Sequence, residues 1–240
     1  MKSIYQSIMK FSGILSLFGI PTCSYQTPLA SPLGGSDARQ ELAERVHAKP
    51  ELAVLFVGNS YSFGVPRAFS KLATAEGQQV RVGHSTYGGW TLKRHAGNDS
   101  TLKKIREGRW DIVVLQEQSE IPAMSARECA ARMFPPLRQL VTEVRNHGAV
   151  PVLYQTWGRR DGDPHILHDD FAGMNRRLRE GYLAAARNAG GIVVVPVGDA
   201  WEREILAGHR NELFMADGSH PTQRASDLNA SVFYETFFTK

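Results

Sequence analysis

Apolar and polar positions follow two periods along the chain, and they take turns. Near-continuous apolar runs at residues 53–57, 111–115, 151–155 and 192–197, with the alternating Val80-Arg81-Val82, are short, rich in β-branched residues and followed by small or polar ones. Such runs predict buried strands, and the unbroken ones predict strands covered on both faces. Between them the period lengthens. Leu137, Leu140, Val141 and Val144 stand at i, i+3, i+4 and i+7, predicting a helix over 136–147 with Gly148 as its stop. Further helices are expected over 65–75, with Pro66 in the first turn and Gly77 beyond the end, over 171–188, and over the apolar stretch 228–238. Strands alternating with helices imply parallel βαβ units with right-handed crossovers, so the expected architecture is a three-layer α/β/α domain around a five-stranded sheet.

The amino-terminal pattern is different. Met1, Lys2 and Lys10 precede an apolar core at residues 11–20, too short to span a bilayer comfortably and typical of a secretory signal peptide. Residues 1–23 are therefore read as a leader. Ile20-Pro21-Thr22-Cys23 resembles a bacterial lipoprotein cleavage box, which would make Cys23 a lipid anchor. Residues 24–50, rich in Ser, Pro, Gly and Thr before a brief helical pattern, are read as a tether, and 51–240 as the folded domain. The expected location is secreted or periplasmic, with a membrane-anchored lipoprotein as the variant.

Composition narrows the partners. A chain of 240 residues, 42% hydrophobic and 22% charged, suits one globular domain. The net charge of +4 and pI near 9.1 come from scattered Lys and Arg without interleaved aromatics, so no nucleic-acid partner is expected. No Gly-rich loop with a following Lys cradles phosphates, His84 and His95 lack metal-ligand spacing, and His165 and His168 beside Asp163 and Asp169 read as a solvated loop in preference to a weak cation site, so neither cofactor nor metal is expected. Cys129, on an alanine-rich helix, reads as core packing, and the domain does not rely on disulfides.

Candidate chemistry lies at the strand ends. The first apolar run stops at Gly58-Asn59-Ser60, which delivers a serine to the rim where open α/β sheets form their sites. The plainer reading is that Asn59 and Ser60 cap the next helix. Far along the chain, Asp217-Gly218-Ser219-His220-Pro221 sets a carboxylate and an imidazole one turn apart. Ser, His and Asp are the parts of an activated oxygen nucleophile. The Gly-x-Ser-x-Gly elbow is absent, because Ser62 stands where its second glycine would be.

With Gly58-Asn59-Ser60, Gly88-Gly89, Gln116-Glu117-Gln118 and Asp217-x-x-His220 in this order after successive strands, the chain resembles the SGNH (GDSL-like) hydrolases. The resemblance implies a flavodoxin-like sheet, with Ser60 as nucleophile, His220 as base and then acid, and Asp217 as a buried carboxylate orienting the imidazole. It implies an oxyanion hole from the Ser60 N–H, a glycine N–H after strand two and an asparagine side chain after strand three. Gly89 fits the glycine position, with Gly88 as the alternative. Gln118 takes the place of the asparagine, with Gln116 as the alternative. Trp157, Arg159 or Arg160, and Trp90 follow strands and are candidate substrate contacts, the tryptophans for a sugar ring and the arginines for an anionic group; the plainer reading is of packed tryptophans and solvated arginines.

The expected activity is that of a secreted serine esterase working through an acyl-enzyme on a small-molecule or glycan ester, with a short acyl or acetyl group on carbohydrate. The alternatives are a lipase-like or acyl-transfer enzyme using the same serine, and a catalytically silent glycan-binding module.

Overall fold

The structure is a computed structural model that describes residues 33–239. The leader, Cys23 and the first part of the tether lie outside the described residues. Five strands form one sheet in the order β2-β1-β3-β4-β5: β1 Glu51–Gly58, β2 Gln79–Thr86, β3 Ile112–Leu115, β4 Val150–Tyr154 and β5 Val193–Val195. Every neighbouring pair is parallel. The three-layer α/β/α reading therefore holds, and all five strands end on one edge.

Alternation along β1 assigns its two faces. Val54 and Phe56 join a core with α1 (Ser36–His47), α2 (Val65–Ala75), α7 (Val197–Leu206), α8 (Arg210–Leu213) and α9 (Gln223–Phe238). Leu55 and Val57 face the opposite core, built with α3 (Leu92–Ala96), α4 (Asp99–Glu107), α5 (Ala126–Asn146) and α6 (Phe171–Asn188). Cys129 is a buried free thiol in that second core.

Three expectations change. The stretch read as a tether is in part structural: Leu33 bridges Val194 of β5 in antiparallel fashion, and Leu42 and Val46 of α1 are buried among core side chains. The folded body thus includes residues before Glu51, because α1 carries an apolar stripe too short to dominate its polar sequence. The helix placed over 136–147 starts ten residues earlier, at Ala126, and continues through Pro135 and Pro136. Ser125 caps it, its Oγ accepting from the Glu128 N–H at 3.3 Å, and Cys129, Met133, Pro136 and Leu140 keep the buried stripe in phase. Strand five ends at Val195 rather than Val197, since Pro196 has no N–H for the ladder.

Candidate active site

The crossover reverses direction between β1 and β3, and such a switch point opens a crevice beyond the strand ends. Ser60 stands there. Asn59 is extended and caps a single 3₁₀ turn, Ser60–Ser62, by accepting the Tyr61 N–H at 3.1 Å. Capping thus falls to Asn59 alone, and the Ser60 hydroxyl meets His220 Nε2 at 2.9 Å. The two residues are 160 positions apart in sequence.

His220 Nδ1 lies 2.5 Å from Asp217 Oδ2, while Asp217 Oδ1 accepts the N–H groups of Ser219 (2.9 Å) and His220 (3.0 Å). Partial desolvation opposes ionisation of Asp217, but the bonds from His220 and Ser219 outweigh it and bring the pKa down to about 2. An ionised carboxylate only accepts, so Nδ1 carries the proton and Nε2 offers its lone pair to the Ser60 hydroxyl. Asp217 is not the buried acid that was expected, its side chain being 49% exposed. Three donors from its own turn hold it instead.

The His220 turn rests on aromatic rings. Trp157 is fully buried, stacked between Tyr61 (centroids 4.7 Å) and Trp201 (4.0 Å), and its Nε1–H donates to the Ser219 carbonyl at 3.1 Å. The Tyr61 hydroxyl bonds to Ser219 Oγ, and His220 stands edge-on to the Tyr61 ring at 5.4 Å.

Three loops that follow β1, β2 and β3 are tied to one another. Gln116 Oε1 accepts the Asn59 N–H (2.8 Å) and the Ser62 hydroxyl (3.0 Å), linking the first loop to the third. Asn59 Nδ2 donates to the Trp90 carbonyl at 3.1 Å, linking the first to the second. Glu117 Oε1 accepts the N–H groups of Leu92 (3.0 Å) and Gln118 (2.7 Å), linking the second to the third. Glu117 is fully buried and its Oε2 has no partner among the described residues. Burial, against the two backbone bonds, pushes its pKa up to about 7.

Beneath them, buried His95 donates Nε2–H to the Gly58 carbonyl at 2.9 Å and has its Nδ1 3.1 Å from Thr101 Oγ1. Burial lowers its pKa to about 4 although the Gly58 bond opposes this, so the ring is neutral at neutral pH.

Among solved structures, a protein from Slackia heliotrinireducens described as an SGNH hydrolase is 30% identical to this chain, at a TM-score of 0.62, with 78% of this chain and 98% of that one covered. The chain belongs to the SGNH hydrolases. It is an ester-acting hydrolase by that membership. A DUF4886 family protein from Bacteroides uniformis (20% identity, TM-score 0.69, 79% and 84% covered) and an acetyl xylan esterase from Geobacillus stearothermophilus (14%, 0.57, 79% and 95%) share its fold. No family model and no curated protein matches the sequence.

The other residues singled out in this SGNH hydrolase divide. Gly88 and Gly89 are exposed on the second loop, Gly89 with a left-handed φ of 69°, and no described residue accepts their N–H groups. Gln118 ties its Oε1 to the Glu120 N–H at 3.0 Å, and no described residue accepts from its Nε2. Gln116 is fully buried, its oxygen takes two bonds and its Nε2 donates one of its two hydrogens to the Glu117 carbonyl, so its amide is less available to an oxyanion than that of Gln118.

Trp157 cannot stack on a sugar, because both of its faces are covered by rings. Arg159 is not free to clasp an anion, since its guanidinium pairs with Glu120. Arg160 pairs with Asp161 at 3.1 Å, and its N–H donates to the Gly218 carbonyl at 2.8 Å. Trp90 is half-buried on the second loop, stacked on Tyr87 at 4.1 Å. Sequence reasoning missed the clamps made by Asn59, Glu117 and His95. An acidic residue two positions beyond an unbroken apolar strand was the one available signal.

Proposed function

We propose that this hydrolase is a serine esterase that works through an acyl-enzyme on Ser60. The observation that carries the reading is the hydroxyl–imidazole–carboxylate line, 2.9 Å and then 2.5 Å, with the imidazole in the tautomer that accepts a proton at Nε2. In the first step the Ser60 proton passes to His220 Nε2 as Oγ bonds to the ester carbonyl carbon. The tetrahedral adduct then collapses, and the leaving alcohol takes that proton from His220. Water attacks the acyl carbon next, giving its proton to His220, which returns one to Ser60 as the acid departs. Asp217 fixes the ring and balances the imidazolium charge.

The oxyanion is received by the N–H groups of Ser60 and Gly89 and by Gln118 Nε2, each such donor contributing on the order of 3 kcal/mol in the transition state. The free donors on Gly89 and Gln118 support these roles. We propose a short acyl group, acetyl included, on a carbohydrate, with Trp90 at the sugar side. An acetyl xylan esterase sharing the fold is the support for that choice. The leader pattern supports export, with lipidation of Cys23 as its variant.

The exposed side chains of Phe63 and Met215, 56% and 53% accessible, favour a second reading in which a longer apolar acyl chain is taken. Phe63 donates its N–H to the Ser60 carbonyl (3.2 Å) and Met215 to the His220 carbonyl (2.9 Å), so both are adjacent to the reacting loops.

Hydrolysis of p-nitrophenyl esters of increasing chain length decides between the two. Activity is expected to be highest on acetate and to fall at least about 10³-fold in Ser60→Ala, as for removal of a serine nucleophile generally. Fluorophosphonate is expected to label Ser60 in the unaltered protein. A protein that hydrolyses no ester and takes no label is the silent module instead.

A further inference from the structure

The bonds among the first three loops close a triangle, and each corner carries one proposed oxyanion donor: Ser60 after β1, Gly89 after β2, Gln118 after β3. Two sides are made by neutral amides, Gln116 and Asn59. The third is made by a carboxylate. One oxygen of Glu117 receives two backbone N–H groups, one from Leu92, three residues past Gly89, and one from Gln118 itself.

A carboxylate in this place needs explaining. Glu117 is fully buried, no cation lies within salt-bridge distance, and its second oxygen is without a partner among the described residues. Arg132 and Cys129 of α5 are the ionisable groups that act on it from that helix, and Tyr182 of α6 places its hydroxyl near the Glu117 carbonyl at 3.5 Å. An acid held so far from water destabilises the fold unless something offsets it. Serving only as a packing unit, the position would be better filled by leucine. What the acid does that leucine cannot is accept from two loops through one atom, which fixes the spacing between them to the length of two hydrogen bonds. Pre-set donors are what oxyanion stabilisation requires, because donors that must first move into place lose most of their advantage.

We propose that Glu117 is a positioning residue for hydrolysis, setting the separation of the Gly89 and Gln118 donors through its single doubly bonded oxygen. The inference rests on the esterase reading above. The charge itself is not needed, only the acceptor and its reach.

The test compares Glu117→Leu, Glu117→Gln and Glu117→Asp in the full chain, with p-nitrophenyl acetate as substrate and an alkyl boronic acid as a tetrahedral mimic. Glu117→Leu removes the acceptor. Its kcat is expected to fall at least about tenfold, within the roughly 10²–10³ that outright loss of a donor costs. KM is expected to stay within about threefold, since the ground-state carbonyl draws little on these donors. Boronate affinity is expected to fall in step with kcat. Glu117→Gln keeps an amide oxygen at the same reach and is expected to restore kcat to within about fivefold of the unaltered protein, a rescue that a purely structural role would not predict.

Should Glu117→Leu fail to fold, Glu117→Asp carries the same expectation as the leucine variant, because its carboxylate is one methylene too short to reach both loops. A folded leucine or aspartate variant with unchanged kcat, or a glutamine variant as impaired as the leucine one, overturns the inference. Wild-type protein that neither hydrolyses ester nor takes fluorophosphonate overturns the esterase reading and this inference with it, whereas active wild type with indifferent Glu117 variants overturns this inference alone.

Discussion

At the scale of single residues, two buried ionisable groups beneath the site pull stability in opposite directions with pH. Glu117 has its pKa raised by burial to about 7, so between about 4.5 and 7 the folded chain keeps a proton that the unfolded chain has released. Its contribution is therefore lost as pH rises through that window. His95 is lowered to about 4, so between about 4 and 6.5 the unfolded chain binds the extra proton and stability is lost as pH falls. Thermal midpoints measured from pH 4.5 to 7 are expected to separate the two. Relative to the unaltered protein, Glu117→Gln should gain stability as pH rises, by up to about 3 kcal/mol at neutrality. His95→Gln should gain as pH falls. Parallel curves for both variants would show that neither group titrates in this window.

Among the elements, α6 has the most direct bearing on the third loop. Gly181 lies against the short turn Ile121–Ala123 that follows Gln118, and a Cβ added there would stand 2.0 Å from the Pro122 carbonyl oxygen. Backbone cannot yield by that much without moving the turn. Gly181→Ala is expected to cost about 1–3 kcal/mol in denaturant unfolding, as overpacking typically does, and to lower kcat by displacing Gln118. Retention of both would place the slack in α6 rather than the turn. The elements also explain which parts of the fold could be read in advance. Helix α2 and helix α6 agree with their expected bounds because each carries a full apolar stripe. Helix α4 was missed because its nine residues carry only two apolar side chains, Leu102 and Ile105, too few to stand out in a polar stretch. Helix α5 was shortened because two prolines usually mark a start and here fall inside.

For the whole molecule, the amino-terminal segment belongs to the body of the domain. Leu33 pairs with β5, and Leu42 and Val46 are buried. A chain beginning at Lys49 is expected to be about 3 kcal/mol or more less stable in urea than one beginning at Leu33, at roughly 1.5–3 kcal/mol per large apolar side chain returned to water. Equal midpoints would restore the tether reading. The parallel sheet and the placing of Ser60 at its edge were legible from the ends of apolar runs, because a parallel sheet brings every strand's carboxyl end to one edge, whereas the pairing of Ser60 with His220 came with the resemblance to the SGNH hydrolases. The misread residues share a cause. Whether Trp157 meets a sugar or two rings, and whether Arg159 meets an anion or Glu120, depends on side-chain partners far away in the chain, which no local pattern encodes.

The proposed nucleophile and oxyanion donors stand on one frame, the laced loops after β1, β2 and β3, whereas the imidazole stands on a separate leaf bonded to it through Tyr61 and to Trp157 through Ser219. A seam therefore runs between the charge-receiving half and the proton-carrying half. Redesign for longer acyl groups belongs on the outer leaf, around Met215, where a side chain already projects into solvent and where changes leave the frame untouched.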